Sequence, residues 1–239
     1  MPTSLTQSLH VYGETLTVLT MDEPKQEARA GGLVPIRSLH ARHRRQITAH
    51  LLSLDEHDRY LRFGYNASDE QVRRYIDGIA FDRDEIFGIF NRKLELIAMA
   101  HLAFLPQEEG EPAGAEFGVS VMKKARGRGY GTHLFNRAAM HARNEGVQLL
   151  FIHALSENTA MIRIARNGGA TLERDGSETE AYLRLPPATL DSRVTEIVEE
   201  QLAQADYRMK RRAKFLLEVL ANLQQIRRGG ADARNKSGR

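Results

Sequence analysis

One segment of this 239-residue chain combines the residue types of an anion site: Arg126-Gly127-Arg128-Gly129-Tyr130-Gly131-Thr132. It lies between a predicted strand and a predicted helix. Such a turn exposes backbone N–H groups, and the helix that follows adds the positive end of its dipole. Glycine lets the main chain approach a bound group closely, and Arg126 or Arg128 adds positive charge. The segment therefore predicts an anion site suited to a pyrophosphate.

The other residue types that carry chemistry form weaker patterns. The chain has no cysteine, which excludes disulfides, thiolate metal ligands and cysteine nucleophiles. Its histidines are scattered, and no spacing of histidines and carboxylates matches a zinc or iron site, so we predict no metal. His101 and His153 fall in predicted strands, where a packed histidine is the more common interpretation.

The elements on both sides of the glycine-rich turn must position it. A strand is predicted at 116–122, where Glu116, Gly118 and Ser120 alternate with apolar residues. A helix is predicted at 132–145, and Gly146 is suited to end it. A nearly continuous apolar run at 147–155 is typical of a strand buried on both faces. A second helix is predicted at 158–167.

Further elements complete the domain. Upstream, we predict a strand at 34–36, helices at 42–54 and 69–79, and paired strands at 85–91 and 94–104. Ser68 is expected to cap the helix at 69–79, because its hydroxyl can accept an early N–H. A last strand is predicted at 181–185. Together these elements predict a mixed α/β domain over residues 33–187.

Extensions are predicted on both sides of this domain. Residues 1–32 form an N-terminal extension that could hold a short hairpin. At 188–228, apolar residues recur at three- and four-residue steps, which predicts a helical extension. A continuous helix over 192–226 would be roughly 50 Å long at about 1.5 Å per residue. This apolar stripe either packs on its own domain or forms a homodimer. Residues 229–239 are predicted to be a disordered tail.

Charge and hydropathy limit the location and the partners. The net charge is +3, but residues from 186 onward carry 11 basic and 7 acidic groups, so the basic excess lies in the extension. Nucleic-acid binding is therefore not expected. No apolar run approaches the roughly 20 residues that span a bilayer, and the N-terminus lacks a secretory pattern. We predict a soluble, cytoplasmic protein without a membrane partner.

These residues resemble the GNAT superfamily of N-acetyltransferases. Arg126-x-x-Gly129-x-Gly131 matches its acetyl-CoA signature, Q/R-x-x-G-x-G/A, in the expected strand-turn-helix context. Asn158 opens the next helix where the family places an asparagine beside the cofactor, and Gly169 ends it. The resemblance covers about residues 33–187. It implies an α/β GNAT fold: a mixed, mostly antiparallel sheet with a splayed parallel strand pair, flanked by helices.

Within the superfamily, three segments resemble the acetyltransferase domains of Pat-type bacterial protein lysine acetyltransferases. Residues 54–63 (LDEHDRYLRF) are similar to their LSPESRYLRF element, and residues 115–121 to their AEFAVVV strand. Residues 158–166 follow their NxxMLxLARR helix. Ala170 departs from the pattern, because that family usually has phenylalanine after the glycine.

The resemblance implies acetyl-CoA as co-substrate and a role for each matching position. The turn at 126–132 would bind the pyrophosphate, and the pantetheine arm would pair with main chain near Val119 and Val121. Glu116 matches the catalytic glutamate of Pat-type domains and would be the general base for direct attack. Many members use a tyrosine as general acid, but Ala165 occupies that position, so this acid is missing.

The acceptor is expected to be a primary amine, with a protein lysine as the first interpretation, from the Pat-like segments. A small amine, such as a polyamine or an antibiotic, is the alternative enzyme substrate. A third possibility is a non-catalytic module that binds acyl-CoA and has lost turnover.

Overall fold

The computed structural model describes residues 34–107, 110, 112–176 and 178–236. The short hairpin predicted within residues 1–32 lies outside the described residues. Among the helices that are described, none has the length and apolar character needed to cross a membrane.

Seven strands of the described residues form one sheet, in the order β1-β2-β3-β4-β5-β7-β6. All neighbouring strands are antiparallel except β4 and β5, which are parallel. This mixed sheet confirms the predicted GNAT fold. The strands are β1 (Arg37–Leu39), β2 (Glu85–Phe90), β3 (Leu96–Phe104), β4 (Gly114–Val121), β5 (Leu149–Leu155), β6 (Thr171–Asp175) and β7 (Glu178–Arg184).

Five helices flank the sheet: α1 (Arg44–Leu52), α2 (Glu56–Phe63), α3 (Asp69–Asp77), α4 (Tyr130–Asn144) and α5 (Thr159–Asn167). A 3₁₀ turn, Ala41–His43, precedes α1. Local chemistry fixes where two of the helices begin, because the side chain of Asp55 accepts from the N–H of Asp58, and Ser68 forms a capping box with Gln71. The prediction that Ser68 caps its helix is thus confirmed.

The parallel pair separates after three residues. Register pairs run from Gly114↔Leu149 to Glu116↔Phe151, and beyond them β4 and β5 continue without pairing to each other. Since β4 remains paired with β3 as far as Val121, the separation leaves one edge of β4 open toward β5. This open edge is the predicted splay.

The two faces of the sheet are covered by different helices. On one face, Phe117 packs edge-to-face on Phe135 of α4, with ring centroids 5.2 Å apart. On the other, Ile86 and Met99 pack with Ile47 and Val72 of α1 and α3. Glu116, Gly118 and Ser120 belong to this second face, because they pair with β3 residues of the same orientation.

Several predicted elements differ from the structure. The strand predicted at 34–36 is wrong: the paired strand is Arg37–Leu39, which begins after Pro35, a residue that has no N–H for a ladder. The short α2 and the strand β6 were not predicted. The prediction that the run at 147–155 is buried on both faces is also wrong, since Leu150 and Ile152 are buried but His153 is exposed.

The C-terminal extension is one helix, α6 (Leu190–Lys236). It begins against α4, where Glu196 contacts two side chains: Arg137 at 3.0 Å and His141 at 2.6 Å. Burial lowers the pKa of His141, but the hydrogen bond and the charge of Glu196, together with the charges of Glu85 and Glu145, outweigh burial, and the net shift is upward. The charged pair therefore anchors the start of α6 to the domain.

The structure continues this helix past the predicted end at residue 228 and through part of the predicted disordered tail. Gly229 and Gly230 each cost about 1 kcal/mol relative to alanine in a helix, but no proline follows to remove a backbone hydrogen bond. The backbone is helical to Lys236. The division of the chain into the four predicted regions stays a prediction.

Candidate active site

A cavity of about 370 Å³ lies between the glycine-rich turn, the open edge of β4 and α5. We call it the cradle cavity. Nine of the residues that the sequence assigned to acetyl-CoA line it: Val119, Val121, Arg126, Gly127, Gly129, Tyr130, Gly131, Thr132 and Asn158. The structure therefore brings together residues that are up to 39 positions apart in the chain.

The turn presents backbone donors to this cavity. The N–H groups of Tyr130, Gly131 and Thr132 begin α4, where an α-helix supplies no acceptor for its first donors. Gly127 and Gly129 have φ values of +76° and +74°, which other residues rarely adopt. These two conformations turn the chain sharply into α4 and keep its N-terminus open to an anion, as acetyl-CoA binding requires.

The two arginines of the turn behave differently. Arg126 lies 2.5 Å from a carboxylate oxygen of the buried Asp58, and its Nε donates to the carbonyl of Val121 at 3.2 Å. Asp58 of α2 therefore partly neutralises the charge of Arg126, and the ion pair links that helix to the turn. Arg128 is exposed and does not line the cradle cavity.

A second cavity, of about 690 Å³, adjoins the first and is lined by β4 at 116–119 and β5 at 153–155. We call it the acceptor cavity. It shares Leu61, Arg62, Val119, Asn158 and Met161 with the cradle cavity. Its lining adds two carboxylates and several aromatic and basic side chains: Glu116, Glu180, Phe63, Tyr65, Tyr75 and His153.

Glu116 lies at the bottom of the splay and is exposed to the acceptor cavity. It is the last residue of β4 that pairs with β5. Glu116 therefore stands where the strands separate, on the side of the acceptor cavity, and the two cavities share Val119 further along the same strand. This position is compatible with proton transfer from a group bound in the acceptor cavity.

A hydrogen-bonded chain of four side chains runs from the acceptor cavity into the protein. Arg62 donates from Nη2 to the hydroxyl of Tyr75 at 2.9 Å, and this hydroxyl lies 2.6 Å from Nδ1 of His101. Nε2 of His101 lies 3.2 Å from Oδ2 of Asp84. Burial, followed by the charge of Arg62, lowers the pKa of His101, so its ring is neutral near pH 7.

The direction of these hydrogen bonds follows from the neutral ring. A neutral imidazole carries one ring proton, and the carboxylate of Asp84 can only accept, so the proton resides on Nε2. Nδ1 then accepts from Tyr75, whose oxygen accepts in turn from Arg62. This series of hydrogen bonds holds the guanidinium of Arg62 against Gly118. A Cβ on residue 118 would lie 2.6 Å from Nη2 of Arg62.

A second buried histidine fixes the far end of β4. His50 of α1 lies 2.8 Å from the hydroxyl of Ser120 and 2.9 Å from the carbonyl of Leu96. Burial lowers its pKa to about 4, so the ring is neutral at physiological pH. The strand that borders both cavities is thereby held to α1 by a neutral hydrogen bond.

Two positions on α5 complete the site. Asn158 accepts from the N–H of Met161 and donates to the carbonyl of Leu61 at 3.3 Å, so it caps α5 and ties it to α2. Ala165 is 1% exposed and lines neither cavity. A general acid is absent from this position, and the small side chain is packed in the core. Among the described residues, no cluster of three or more histidines and carboxylates could hold a metal ion.

The model of the Acetyltransferase (GNAT) family matches residues 50–168, which contain the turn, the splayed strands and most of α5. The chain is a member of the GNAT acetyltransferase family. Its enzymes are acyltransferases that use acetyl-CoA as the acetyl donor, and the first residues of α4, whose N–H groups have no acceptor within the helix, line the cradle cavity.

Three solved structures are similar to this chain at low identity. The GNAT domain of S. lividans PAT has a TM-score of 0.54 and 19% identity, over 63% of this chain and 89% of that one. An N-acetyltransferase from Staphylococcus aureus Mu50 has a TM-score of 0.50 and 15% identity, over 63% and 98%. A spermidine N-acetyltransferase from Vibrio cholerae, solved with CoA and spermine, has a TM-score of 0.49 and 17% identity, over 63% and 94%.

Sequence reasoning missed Arg62, Tyr75 and Asp84 as parts of the site. Arg62 lies in the segment that resembles Pat-type domains, but sequence reasoning assigned it no role of its own; Tyr75 lies on a helix without a motif, and Asp84 directly precedes β2. His101 was interpreted as a packed histidine, and it is buried as expected. The one available signal was its polar ring inside an apolar strand, since a buried polar group requires partners.

Proposed function

We propose that the protein transfers the acetyl group of acetyl-CoA to a primary amine, and that lysine side chains of proteins are its acceptors. The observation that carries the proposal is the junction of the two cavities at the splay, with Glu116 beside it. Residues 61–63, which belong to the segment that resembles Pat-type domains, line the acceptor cavity. A cytoplasmic location stays a prediction from the sequence.

Glu116 acts as the general base in this proposal. Its carboxylate takes a proton from the acceptor ammonium, directly or through a water molecule, and the free amine attacks the thioester carbonyl. A backbone N–H on the open edge of β4 stabilises the negative charge on the carbonyl oxygen. The carbon–sulfur bond then breaks, the amide forms, and the thiolate takes its proton from water or from the attacking amine.

A variant of Glu116 tests the mechanism. Glu116→Gln keeps the shape of the side chain and removes the base, so we expect turnover to fall about 10²- to 10⁴-fold while acetyl-CoA binds with unchanged affinity. Thiol release measures turnover, and calorimetric titration measures binding. Glu180→Gln is the matched control, because it removes the other carboxylate of the acceptor cavity. Equal turnover of Glu116→Gln and the unchanged protein would contradict the role of the base.

A small polyamine is the second candidate acceptor, and the two carboxylates of the acceptor cavity favour it. Glu116 and Glu180 line one cavity and can attract a molecule with two cationic groups. We would assay thiol release with proteins, polyamines and amine-containing antibiotics as acceptors, and locate the acetyl group by mass spectrometry. Thiol release with small amines but not with proteins would show that the acceptor is a small amine and would contradict the proposal of a protein lysine. Tight acetyl-CoA binding without release from any acceptor would indicate a non-catalytic acyl-CoA-binding module.

A further inference from the structure

Arg62 is the charged residue that the cradle cavity and the acceptor cavity share, and its side chain is half-buried. Within the part of the chain that the structure describes, no carboxylate forms an ion pair with it. A half-buried cation is costly unless an anion balances its charge. Its position therefore indicates that Arg62 meets an anion where the two cavities adjoin. The other residues that line both cavities are neutral: Leu61, Val119, Asn158 and Met161.

Neutral groups hold the guanidinium of Arg62 in place. Its Nη2 donates to the hydroxyl of Tyr75 at 2.9 Å, and its central carbon lies 5.3 Å and 5.5 Å from the ring centroids of Phe63 and Tyr75. Both rings attract the cation without carrying a negative charge. Asp84, the carboxylate at the far end of the hydrogen-bonded series, lies 3.1 Å from Arg83. These contacts fix the position of Arg62 and leave its charge available.

Glu116 and the guanidinium of Arg62 lie on the same side of β4. Gly118, against which the guanidinium packs, follows Glu116 by two residues, which is roughly 7 Å along a strand. Arg62 and Glu116 are both described by the structure, and they form no ion pair with each other. A carboxylate and a cation are therefore available side by side, and each can act on a different atom of the reaction.

The missing general acid at Ala165 defines which anion needs a cation here. When the carbon–sulfur bond of a thioester breaks, its electron pair goes to sulfur, which leaves as a thiolate unless an acid protonates it. Ala165 has no proton to donate. A guanidinium close to a thiolate stabilises it. Arg126, which also lines the cradle cavity, is already paired with Asp58 and is less able to fill this role.

We propose that Arg62 is a catalytic residue that balances the negative charge on the departing sulfur and so replaces the missing general acid. The inference rests on the proposed acetyl transfer. The acceptor nitrogen loses one proton to Glu116 and bonds to the carbonyl carbon. The carbon–sulfur bond breaks with its electron pair on sulfur, beside Arg62. The nitrogen then loses its second proton to the departed thiolate or to water.

The binding of CoA tests this role without any acceptor. A nearby opposite charge lowers the pKa of an acid by about 1 to 3 pH units, so the thiol of bound CoA is expected to ionise at a lower pH than that of free CoA. Calorimetric titration compares CoA with desulfo-CoA, which lacks the thiol. The affinity for CoA relative to desulfo-CoA is expected to rise about fivefold or more between pH 7 and pH 9.5. A constant ratio in the unchanged protein would overturn the proposal.

Variants of Arg62 assign the effect to this side chain. Arg62→Met removes the charge and is expected to abolish the rise with pH, whereas Arg62→Lys keeps a cation and is expected to retain part of it. Binding of desulfo-CoA by each variant shows that the cradle is still folded. Arg163→Met is the matched control, because Arg163 is an exposed arginine that lines the cradle cavity but not the acceptor cavity. A full rise in Arg62→Met, or its loss in Arg163→Met, would overturn the proposal.

Kinetics connects the charge to catalysis. For Arg62→Met we expect kcat to fall about 100-fold, as when one group that stabilises charge in the transition state is removed, with partial recovery in Arg62→Lys. A loss confined to acceptors that carry a carboxylate beside the amine would instead assign Arg62 to acceptor binding and overturn the proposal. If no amine were acetylated but the rise of CoA affinity still depended on Arg62, the proposed function would fail while the thiolate site remained supported.

Discussion

The cradle cavity and the acceptor cavity meet at the same strand but are built in different ways. The cradle is centred on one continuous turn, with Gly127 and Gly129 in left-handed conformations before α4, and residues of α2, β4 and α5 complete its lining. The acceptor cavity is formed by side chains from α2, α3, β4, β5 and β7. The comparison separates two kinds of construction: a turn that carries the family signature lies at the centre of one cavity, and side chains from distant elements form the other.

The largest expected effect is a loss of acetyl-CoA affinity when the backbone of the cradle is changed. In a double Gly127→Ala, Gly129→Ala variant, each left-handed residue costs about 1–2 kcal/mol. The free turn relaxes away from this conformation and binding must restore it, so acetyl-CoA affinity is expected to fall about 30-fold or more. Calorimetric titration measures the change.

A third glycine provides the control for this variant. Gly146 has a φ of +84° in the turn after α4 and lines neither cavity. Gly146→Ala is expected to lower the free energy of unfolding by a similar amount per residue without changing acetyl-CoA affinity. If Gly146→Ala also lowered acetyl-CoA affinity, backbone strain outside the cradle would be sufficient to weaken binding, and the role of the turn would be contradicted.

The next effect concerns the hydrogen-bonded chain beside the acceptor cavity. Tyr75→Phe removes the hydroxyl that joins Arg62 to His101, and the guanidinium loses its fixed position against Gly118. Turnover is expected to fall about tenfold, the equivalent of about 1.4 kcal/mol, with acetyl-CoA affinity unchanged. Tyr65→Phe, at a 48% exposed position of the same cavity, should have no effect. Equal losses from both variants would contradict a specific role of the chain.

A smaller effect is expected where the two cavities touch. A methyl group at position 118 would lie 2.6–2.8 Å from the guanidinium of Arg62, so the end of this flexible side chain must shift. For Gly118→Ala we expect the KM for the acceptor to rise about fivefold, with a smaller change in the KM for acetyl-CoA. Steady-state kinetics with each substrate varied in turn distinguishes the two constants. A rise confined to acetyl-CoA would place Arg62 on the cradle side.

The smallest expected effect is a pH dependence of the free energy of unfolding, which arises from His50 of α1. The pKa of His50 is lowered from 6.5 to about 4 by burial, so the unfolded chain binds a proton at a pH where the folded chain does not. Stability is therefore lost as pH falls from 6.5 toward 4, by about 1 kcal/mol between pH 8 and pH 6. Chemical unfolding of the protein and of His50→Gln checks this, and the variant should show a shallower slope.

The sequence predicted the fold and the cradle better than it predicted the acceptor cavity. The signature at 126–131 lies within one turn, so its strand-turn-helix context could be read locally, and the splay of β4 and β5 is confirmed. By contrast, Arg62, Tyr75, His101 and Asp84 are up to 39 positions apart, and no local pattern marks them as neighbours. The strand β1 was misplaced by a few residues, because its position depends on pairing with β2 rather than on its own residues.

The C-terminal helix α6 likewise has features that the sequence predicted and features that only the structure shows. Helical periodicity predicted α6 and its apolar stripe from the sequence alone, because the three- and four-residue spacing follows from helix geometry. Only the tertiary structure decided which face meets the domain, since the contacts of Glu196 and Tyr207 depend on side chains of α4 and β1.

The sequence by itself determined the family, most of the helices and strands and the position of the glycine-rich turn, all of which depend on residues close together in the chain. The tertiary structure decided which side chains surround Glu116 and which surface of α6 the domain leaves exposed. Those features depend on the packing of distant elements, whose relative positions are set by the whole core and not by any one segment.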